Sequence, residues 1–316
     1  MTKNGENVNE TDVSNSPFSN TQSLGKWDWI KIFTLGPFLI PIKVVALIII
    51  FLIMWCISSG ALFGLSKETR RNYPLTGWRK ESRNIVSILG RLMWFVMGFH
   101  VEKKGIHSVE TPILIFAPHT TFFDAIWFFC VTEPASFLGR IENEEIPIIG
   151  KIVQLYQPIA VTREDSHSRQ KTLEQIIMRS HSFMVDDKKD KWPQIIMSPE
   201  GTTSNGRSLI TFKKGAFVSG YPVQPIIIQY PNQIDTVTWT WNQKHGPMTV
   251  LFITLAVPIT RAVVEFLPPY IPNESEKEDP KLYASNVRHY MAKYLSIPTS
   301  NVSLEDAKTI SYISKL

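Results

Sequence analysis

Val44 to Leu65 is a run of 22 residues without a charge. As an α-helix rising 1.5 Å per residue it is about 33 Å long, enough for the roughly 30 Å hydrocarbon core of a bilayer. It is too long and too uniformly apolar for a routine amphipathic core helix. The run therefore reads as a membrane helix or as part of a re-entrant hairpin. The preceding segment, Lys26 to Lys43, is basic and aromatic, with Trp27 and Trp29 suited to an interface. Gly36, Pro37 and Pro41 would allow a bend there. Lys31 and Lys43 precede the run and Lys67, Arg70 and Arg71 follow it, so the positive-inside rule gives no orientation.

The rest of the composition fits a membrane surface. Charged residues make up 19% of the 316, below the roughly 25% usual for soluble proteins. The net charge is +5, but the basic residues are scattered and carry no nucleic-acid signature, so nucleic acid is not an expected partner. Two cysteines, Cys56 and Cys130, exclude a disulfide scaffold or a Cys-rich zinc module, and no metal-ligand cluster is evident. Residues 1–25 are rich in Asn, Ser, Thr and Glu with few large apolar side chains, and read as a disordered tail.

Between Ser82 and Phe99 the apolar residues Ile85, Ile88, Leu89, Leu92, Met93, Phe95 and Val96 recur at helical spacing, predicting a helix against the membrane or the core. Strand-like runs follow at Ile113–Ala117, Ser136–Gly139, Ile159–Thr162, Gln194–Met197, Val223–Gln229 and Ala262–Leu267. Helical patterns lie between them near 123–131, 145–155 and 166–184. That alternation predicts an α/β domain. Thr249–Pro258 is apolar and fits either a strand or a helix. Residues 271–280 read as a charged linker, followed by a helix from Lys281 to about Leu295 and a short tail. The expected organisation is a tail over 1–25, a membrane anchor over 26–81, a catalytic domain over 82–270, and a linker, helix and tail over 271–316.

Three blocks carry candidate chemistry. In Ile113 to Asp124 a buried strand runs out, Pro118 blocks its continuation and His119 stands at the exit. Five residues along a continuous helix would turn two side chains about 140° apart. His119 must therefore sit in the turn before a helix capped by Thr120 or Thr121, where its ring can fold back on Asp124. A carboxylate on one ring nitrogen fixes the tautomer and leaves the other nitrogen as a base. The bland alternative is an exposed loop histidine that happens to precede an Asp.

The second block, Ser198-Pro199-Glu200-Gly201-Thr202-Thr203-Ser204-Asn205-Gly206, also follows a strand; it either approaches a ligand or is a polar turn. Phe212-Lys213-Lys214-Gly215-Ala216-Phe217 comes soon after, with two cations that by default are solvated. In the third, Gln157 to Arg163, an arginine ends a strand. Arg163 could grip phosphate with two parallel hydrogen bonds or simply pair with Glu164 or Asp165. No Gly-x-Ser-x-Gly elbow is present, Cys56 lies in the apolar run and Cys130 has apolar neighbours. General-base chemistry on a substrate hydroxyl is favoured over a covalent intermediate, and a soluble hydrolase is disfavoured.

Together these blocks resemble the glycerolipid acyltransferase superfamily, the PlsC-like enzymes. His119 and Asp124 look like its first motif and Arg163 the arginine of its second. Pro199-Glu200-Gly201-Thr202 looks like its third and Val223-Gln224-Pro225-Ile226 its fourth. The run from Glu200 to Gly206, the block around Lys213 and Asp235 to Trp241 are similar to the lysophosphatidylcholine acyltransferase branch. Two departures stand out: no EF-hand loop occurs, and Thr120-Thr121 stands where serine is frequent.

The resemblance implies a mixed central sheet flanked by helices, with an N-terminal membrane helix or helical hairpin. It implies transfer from acyl-CoA, a co-substrate and no cofactor, to the sn-2 hydroxyl of a lysophospholipid, foremost lysophosphatidylcholine, at a lipid bilayer. His119 held by Asp124 would be the base. Arg163 and Lys213 would hold the glycerol phosphate, Glu200 and Gly201 would position the acceptor, and Thr202 would add a hydrogen bond. A lysophosphatidic acid acyltransferase is the alternative enzyme. A non-catalytic lipid-binding scaffold would need neither His119 nor Asp124.

On a strand, Trp239 and Trp241 would share one face, either as a cage for choline or as interfacial or core packing. The ending Ser314-Lys315-Leu316 matches a peroxisomal address. The apolar run and the resemblance point instead to the endoplasmic reticulum membrane, with peroxisome or lipid droplet as alternatives.

Overall fold

A computed structural model of the chain describes residues 16–20, 24–125, 133–161, 166–185, 191–243 and 245–313. All five residues of Ile113–Ala117 are buried, so this strand fits only the middle of a sheet covered on both faces. Among the described residues the sheet has seven strands: β1 Phe99–Gly105, β2 Ile113–Ala117, β3 Ser136–Arg140, β4 Ile159–Val161, β5 Ile195–Met197, β6 Val223–Gln229 and β7 Thr260–Phe266. Their order is β1-β7-β6-β2-β5-β3-β4. Every neighbouring pair is parallel except β6 and β7, which makes the sheet mixed. The sequence reading lacks β1. This is an edge strand whose His100, Glu102, Lys103 and Lys104 mask any apolar alternation, and charge on an edge discourages further pairing.

The helices used below are α1 Lys26–Leu62, α2 Gly77–Met97, α3 Ile149–Leu155, α4 Ser166–Val185, α5 Pro247–Ala256, α6 Pro280–Leu295 and α7 Leu304–Ile313. Successive side chains of a strand face opposite ways. Leu114 and Phe116 of β2 join a core with Ile50, Met54, Val86, Trp94, Ile152 and Leu255, contributed by α1, α2, α3 and α5. Ile113, Ile115 and Ala117 join a second core with Ile176 of α4 and Tyr283, Val287 and Met291 of α6. The result is a three-layer α/β arrangement.

Several expectations change. α1 is one continuous helix of 37 residues with Pro37 and Pro41 inside it, so the expected bend does not break it. It begins well before Val44 and ends three residues before Leu65. Lys43, expected as a flanking cation of the apolar run, is buried. Its Nζ donates to Met97 O at 3.0 Å and Val257 O at 2.7 Å, carbonyls at the ends of α2 and α5. Thr249–Pro258 resolves in favour of helix, as α5.

The expected linker over 271–280 contains a short helix, Glu274–Glu278. A reciprocal capping box holds it: Asn273 Oδ1 accepts the Glu276 amide at 2.9 Å, and Glu276 carboxylate accepts the Asn273 amide at 2.8 Å. The expected short tail after α6 contains α7, which buries Leu304 and Ala307. Residues 314–316 lie outside the described residues.

Ser16 to Asn20 fall within the expected disordered tail, yet they are packed. Phe18 is fully buried against Ile210 and Ala307. Asn205 donates its amide to Pro17 O at 2.7 Å, and its side chain donates to Ser16 O at 3.1 Å and Ser19 O at 3.0 Å. One aromatic ring and a loop asparagine thus anchor a segment too polar to signal order by composition. Phe18→Ala should release residues 16–20. Amide exchange at Asn205 should accelerate while exchange in β2 stays unchanged; unaltered Asn205 exchange would mean the segment is held without Phe18.

Candidate active site

β2 pairs with β5 so that Ile115 lies opposite Met197, and with β6 so that Ala117 lies opposite Ile227. All three run parallel, so Pro118-His119, Ser198-Pro199-Glu200 and Tyr230 leave the sheet side by side. This is the crevice beyond the carboxyl ends of parallel strands, where ligands of open α/β sheets bind.

His119 Nδ1 lies 2.9 Å from Asp124 Oδ2. Asp124 is completely buried, while the His119 side chain keeps 19% of its surface open. The same Oδ2 accepts the amides of Thr120 at 2.8 Å and Thr121 at 3.0 Å. Asp124 Oδ1 accepts the hydroxyl of Tyr230. The turn is therefore built on Asp124, which stands in a short 3₁₀ turn, Phe122–Ala125, in place of the expected helix start. Residues 126–132, including Cys130, lie outside the described residues. With Nδ1–H on the carboxylate, His119 Nε2 carries the basic lone pair.

Glu200 is brought to His119, but not as an open acceptor ligand. It is fully buried, its Oε2 accepts the His119 amide at 2.7 Å and its Oε1 accepts the Ile210 amide at 3.2 Å. The sequence expectation that it positions the acceptor directly requires an accessible carboxylate, and this one faces inward to two backbone N–H groups. Ser204 adds a third tie, donating its amide to His119 O at 2.7 Å. Both backbone polar groups of His119 are thereby held by the loop after β5.

Gly201 has φ +66°, a conformation that side chains rarely adopt. A Cβ there would stand 3.1 Å from Cδ and Cε of Lys213, so the exposed lysine runs over the glycine. Lys213 is tied in place by its amide on Pro199 O at 2.7 Å. Thr202 Oγ1 accepts the indole N–H of Trp241 at 2.6 Å. Trp239 instead donates its backbone N–H to Thr120 O at 2.9 Å, and its ring meets Phe122 edge-on at 6.2 Å. Residues 235–241 are not a strand, so the two indoles do not share the strand face on which a choline cage was premised. Arg163, with Thr162, Glu164 and Asp165, lies outside the described residues. Among the described residues, no cluster of three or more His, Cys, Asp or Glu is placed to hold a metal.

Tyr230 is absent from the sequence reading. It stands 106 residues from Asp124, in a Tyr-Pro-Asn stretch that looks like a turn. Only the pairing of β6 with β2 brings it to the site.

Burial pushes the Glu200 carboxyl up to about 8, against the opposing pull of the two amides and of Arg288. The fold therefore holds a proton on Glu200 between its ordinary value of 4.5 and about 8, where the unfolded chain releases it. The folded state binds more protons across that window, so stability falls as pH rises through it. Thermal unfolding in detergent at several pH values should show this decline in the wild type and a flatter profile in Glu200→Gln. Identical slopes would overturn the assignment of a proton to Glu200.

The Acyltransferase family model matches residues 99–229, which include His119, Asp124 and Glu200. Lysophosphatidylcholine acyltransferase 2 of Danio rerio is 42% identical over 299 residues, covering 93% of this chain and 54% of that protein. Its Homo sapiens namesake is 39% identical over 296 residues, covering 93% and 53%. The lysophosphatidylcholine acyltransferase of Drosophila melanogaster is 40% identical over 284 residues, covering 89% and 52%. The chain thus spans about half the length of the curated relatives it matches. The crystal structure of the 1-acyl-sn-glycerophosphate acyltransferase PlsC from Thermotoga maritima shares the fold, with a TM-score of 0.52 at 15% identity over 87% of this chain and 100% of that one. Sequence and fold thus agree on one point: residues 99–229 form a domain of the Acyltransferase family, carried in a chain that is similar to lysophosphatidylcholine acyltransferases and shares the fold of PlsC.

Proposed function

We propose that this protein transfers an acyl chain from acyl-CoA to the free sn-2 hydroxyl of a lysophospholipid, lysophosphatidylcholine foremost, in phospholipid remodelling. The observation that carries the reading is a partly open His119 held by the buried carboxylate of Asp124 at the carboxyl ends of β2, β5 and β6. His119 Nε2 takes the hydroxyl proton as that oxygen bonds to the thioester carbon. The tetrahedral centre then expels CoA as thiolate, and the imidazolium returns the proton to sulfur. A thiol with an ordinary pKa of roughly 8.5 leaves readily and needs little acid assistance. Arg163 and Lys213 are proposed to hold the acceptor phosphate, with Gly201 giving it backbone access and Thr202 a polar contact. Glu200 contributes by fixing the His119 backbone. No cofactor is invoked.

A bilayer is the proposed platform. α1 is long and apolar enough to cross one, and its outer face exposes Phe33, Phe38, Ile42, Ile49 and Ile53. α2 exposes Ile85, Ile88 and Phe95. The buried residues of α1 run from Ile32 to Leu62, roughly 45 Å of helix, more than the roughly 30 Å hydrocarbon core. This favours a helix lying along the membrane with the domain attached over one that crosses it upright. The endoplasmic reticulum membrane is the proposed address.

Purified protein in detergent, offered lysophosphatidylcholine or lysophosphatidic acid with acyl-CoA, should release free thiol faster with lysophosphatidylcholine. His119→Ala should lower turnover by roughly 100- to 10,000-fold while leaving membrane association intact; near wild-type transfer would overturn the mechanism. Arg163→Lys should raise the acceptor KM more than the acyl-CoA KM, because an ammonium cannot reproduce the bidentate fork. Equal shifts would assign Arg163 another role.

A further inference from the structure

Asp124 orients His119, and what orients Asp124 is visible in the hydrogen bonds it receives. Three donors converge on Oδ2: the His119 ring and the amides of Thr120 and Thr121. Among the described residues, the donor that reaches Oδ1 is the Tyr230 hydroxyl. Asp124 is fully buried, so water does not readily replace that donor. The terminal torsion of an aspartate is broad and roughly two-fold, and a carboxylate held on one oxygen can swing about it. Tyr230 follows β6, whose pairing with β2 fixes where the hydroxyl sits, and its ring packs against the larger core. The hydroxyl is thus held by the sheet itself and not by the loop that carries His119.

We infer that Tyr230 is a positioning residue for acyl transfer: its hydroxyl fixes the plane of the Asp124 carboxylate, so that Oδ2 keeps His119 Nδ1–H in place and leaves Nε2 aimed at the acceptor hydroxyl. This rests on the acyl-transfer reading. Tyr230 acts through Asp124 and is assigned no contact with either substrate. Glu200 restrains the His119 backbone from the loop after β5, Tyr230 restrains its side-chain partner from the end of β6, and the pair between them sits in the turn that follows β2.

Tyr230→Phe tests this, because it removes one oxygen and keeps the packed ring. A hydrogen bond to a charged group is worth enough to cost about tenfold or more in kcat. The KM values for lysophosphatidylcholine and acyl-CoA should each stay within about twofold, and the variant should still fold cooperatively in detergent, its unfolding temperature lower by a few degrees for the buried bond it loses. The decisive arm is a double-mutant cycle. In an Asp124→Asn background, adding Tyr230→Phe should cost less than about twofold more, since the group through which it acts is already altered. Losses that multiply in the double variant, a change confined to KM, an unchanged kcat, or a Tyr230→Phe that no longer folds would each overturn the assignment while leaving an active wild type as an acyltransferase. A wild type that releases no thiol with any lysolipid would overturn the acyl-transfer reading and this assignment together.

Discussion

The parallel pairing of β2 with β5 on one side and β6 on the other is the constraint on which the site depends. A single chain exit could offer a histidine but could not hold it. Three adjacent exits supply different restraints: His119 and Asp124 from one, Glu200 from the second and Tyr230 from the third. The sheet that supplies them is covered on both faces by two separate apolar cores. Strand register, set by burial, thereby becomes the geometry of the site, because a slip of one residue would turn every side chain to the other face.

Much of this was legible in the sequence for stated reasons. Ile113–Ala117 announced itself as a continuous apolar run and Val223–Gln229 by the β-branched Val223 and Ile226 to Ile228, as buried central strands require. The His119/Asp124 contact followed from the angular spacing of a helix, even though the turn proved to be 3₁₀ and built on Asp124 itself. What escaped depended on partners distant in the chain. Tyr230 has no local signature. Phe18 is one ring in a polar segment, and its burial comes from partners distant in the chain, Ile210, Ala307 and Asn205 among them. β1 carries the charges of an edge strand and lacks the alternation by which strands are read.

Lys43 illustrates how a local reading can miss a role. As a cation before an apolar run it looked like a membrane flank. In the fold it supplies donors to two backbone carbonyls where α2 and α5 end, groups that have no partner within their own helices. The position matters because α1 carries no other charge after Lys31, and apolar contact alone fixes neither the rotation nor the register of that stretch. Gly36 adds a second restraint, since a Cβ there would stand 3.3 Å from Ala256 Cβ. One polar staple and one close approach thus decide which side of α1 faces the domain, and by exclusion which side faces outward.

The two buried carboxyl groups are handled differently, and the difference follows from hydrogen-bond accounting. Among the described residues Asp124 receives four donors, two of them from the side chains of His119 and Tyr230. Glu200 receives two, both backbone amides. Two amides do not offset its complete burial, and its carboxyl rises to about 8. Proximity to Asp124 pushes in the same direction. A protonated Glu200 still offers oxygen to the His119 amide, so its structural task survives without a second negative charge beside the pair. The side chain that touches the His119 ring is Asp124, and Glu200 touches only the His119 backbone. The loop after β5 thus grips the backbone of His119 while Asp124 grips its ring, so the two restraints on one histidine come from separate carboxyl groups.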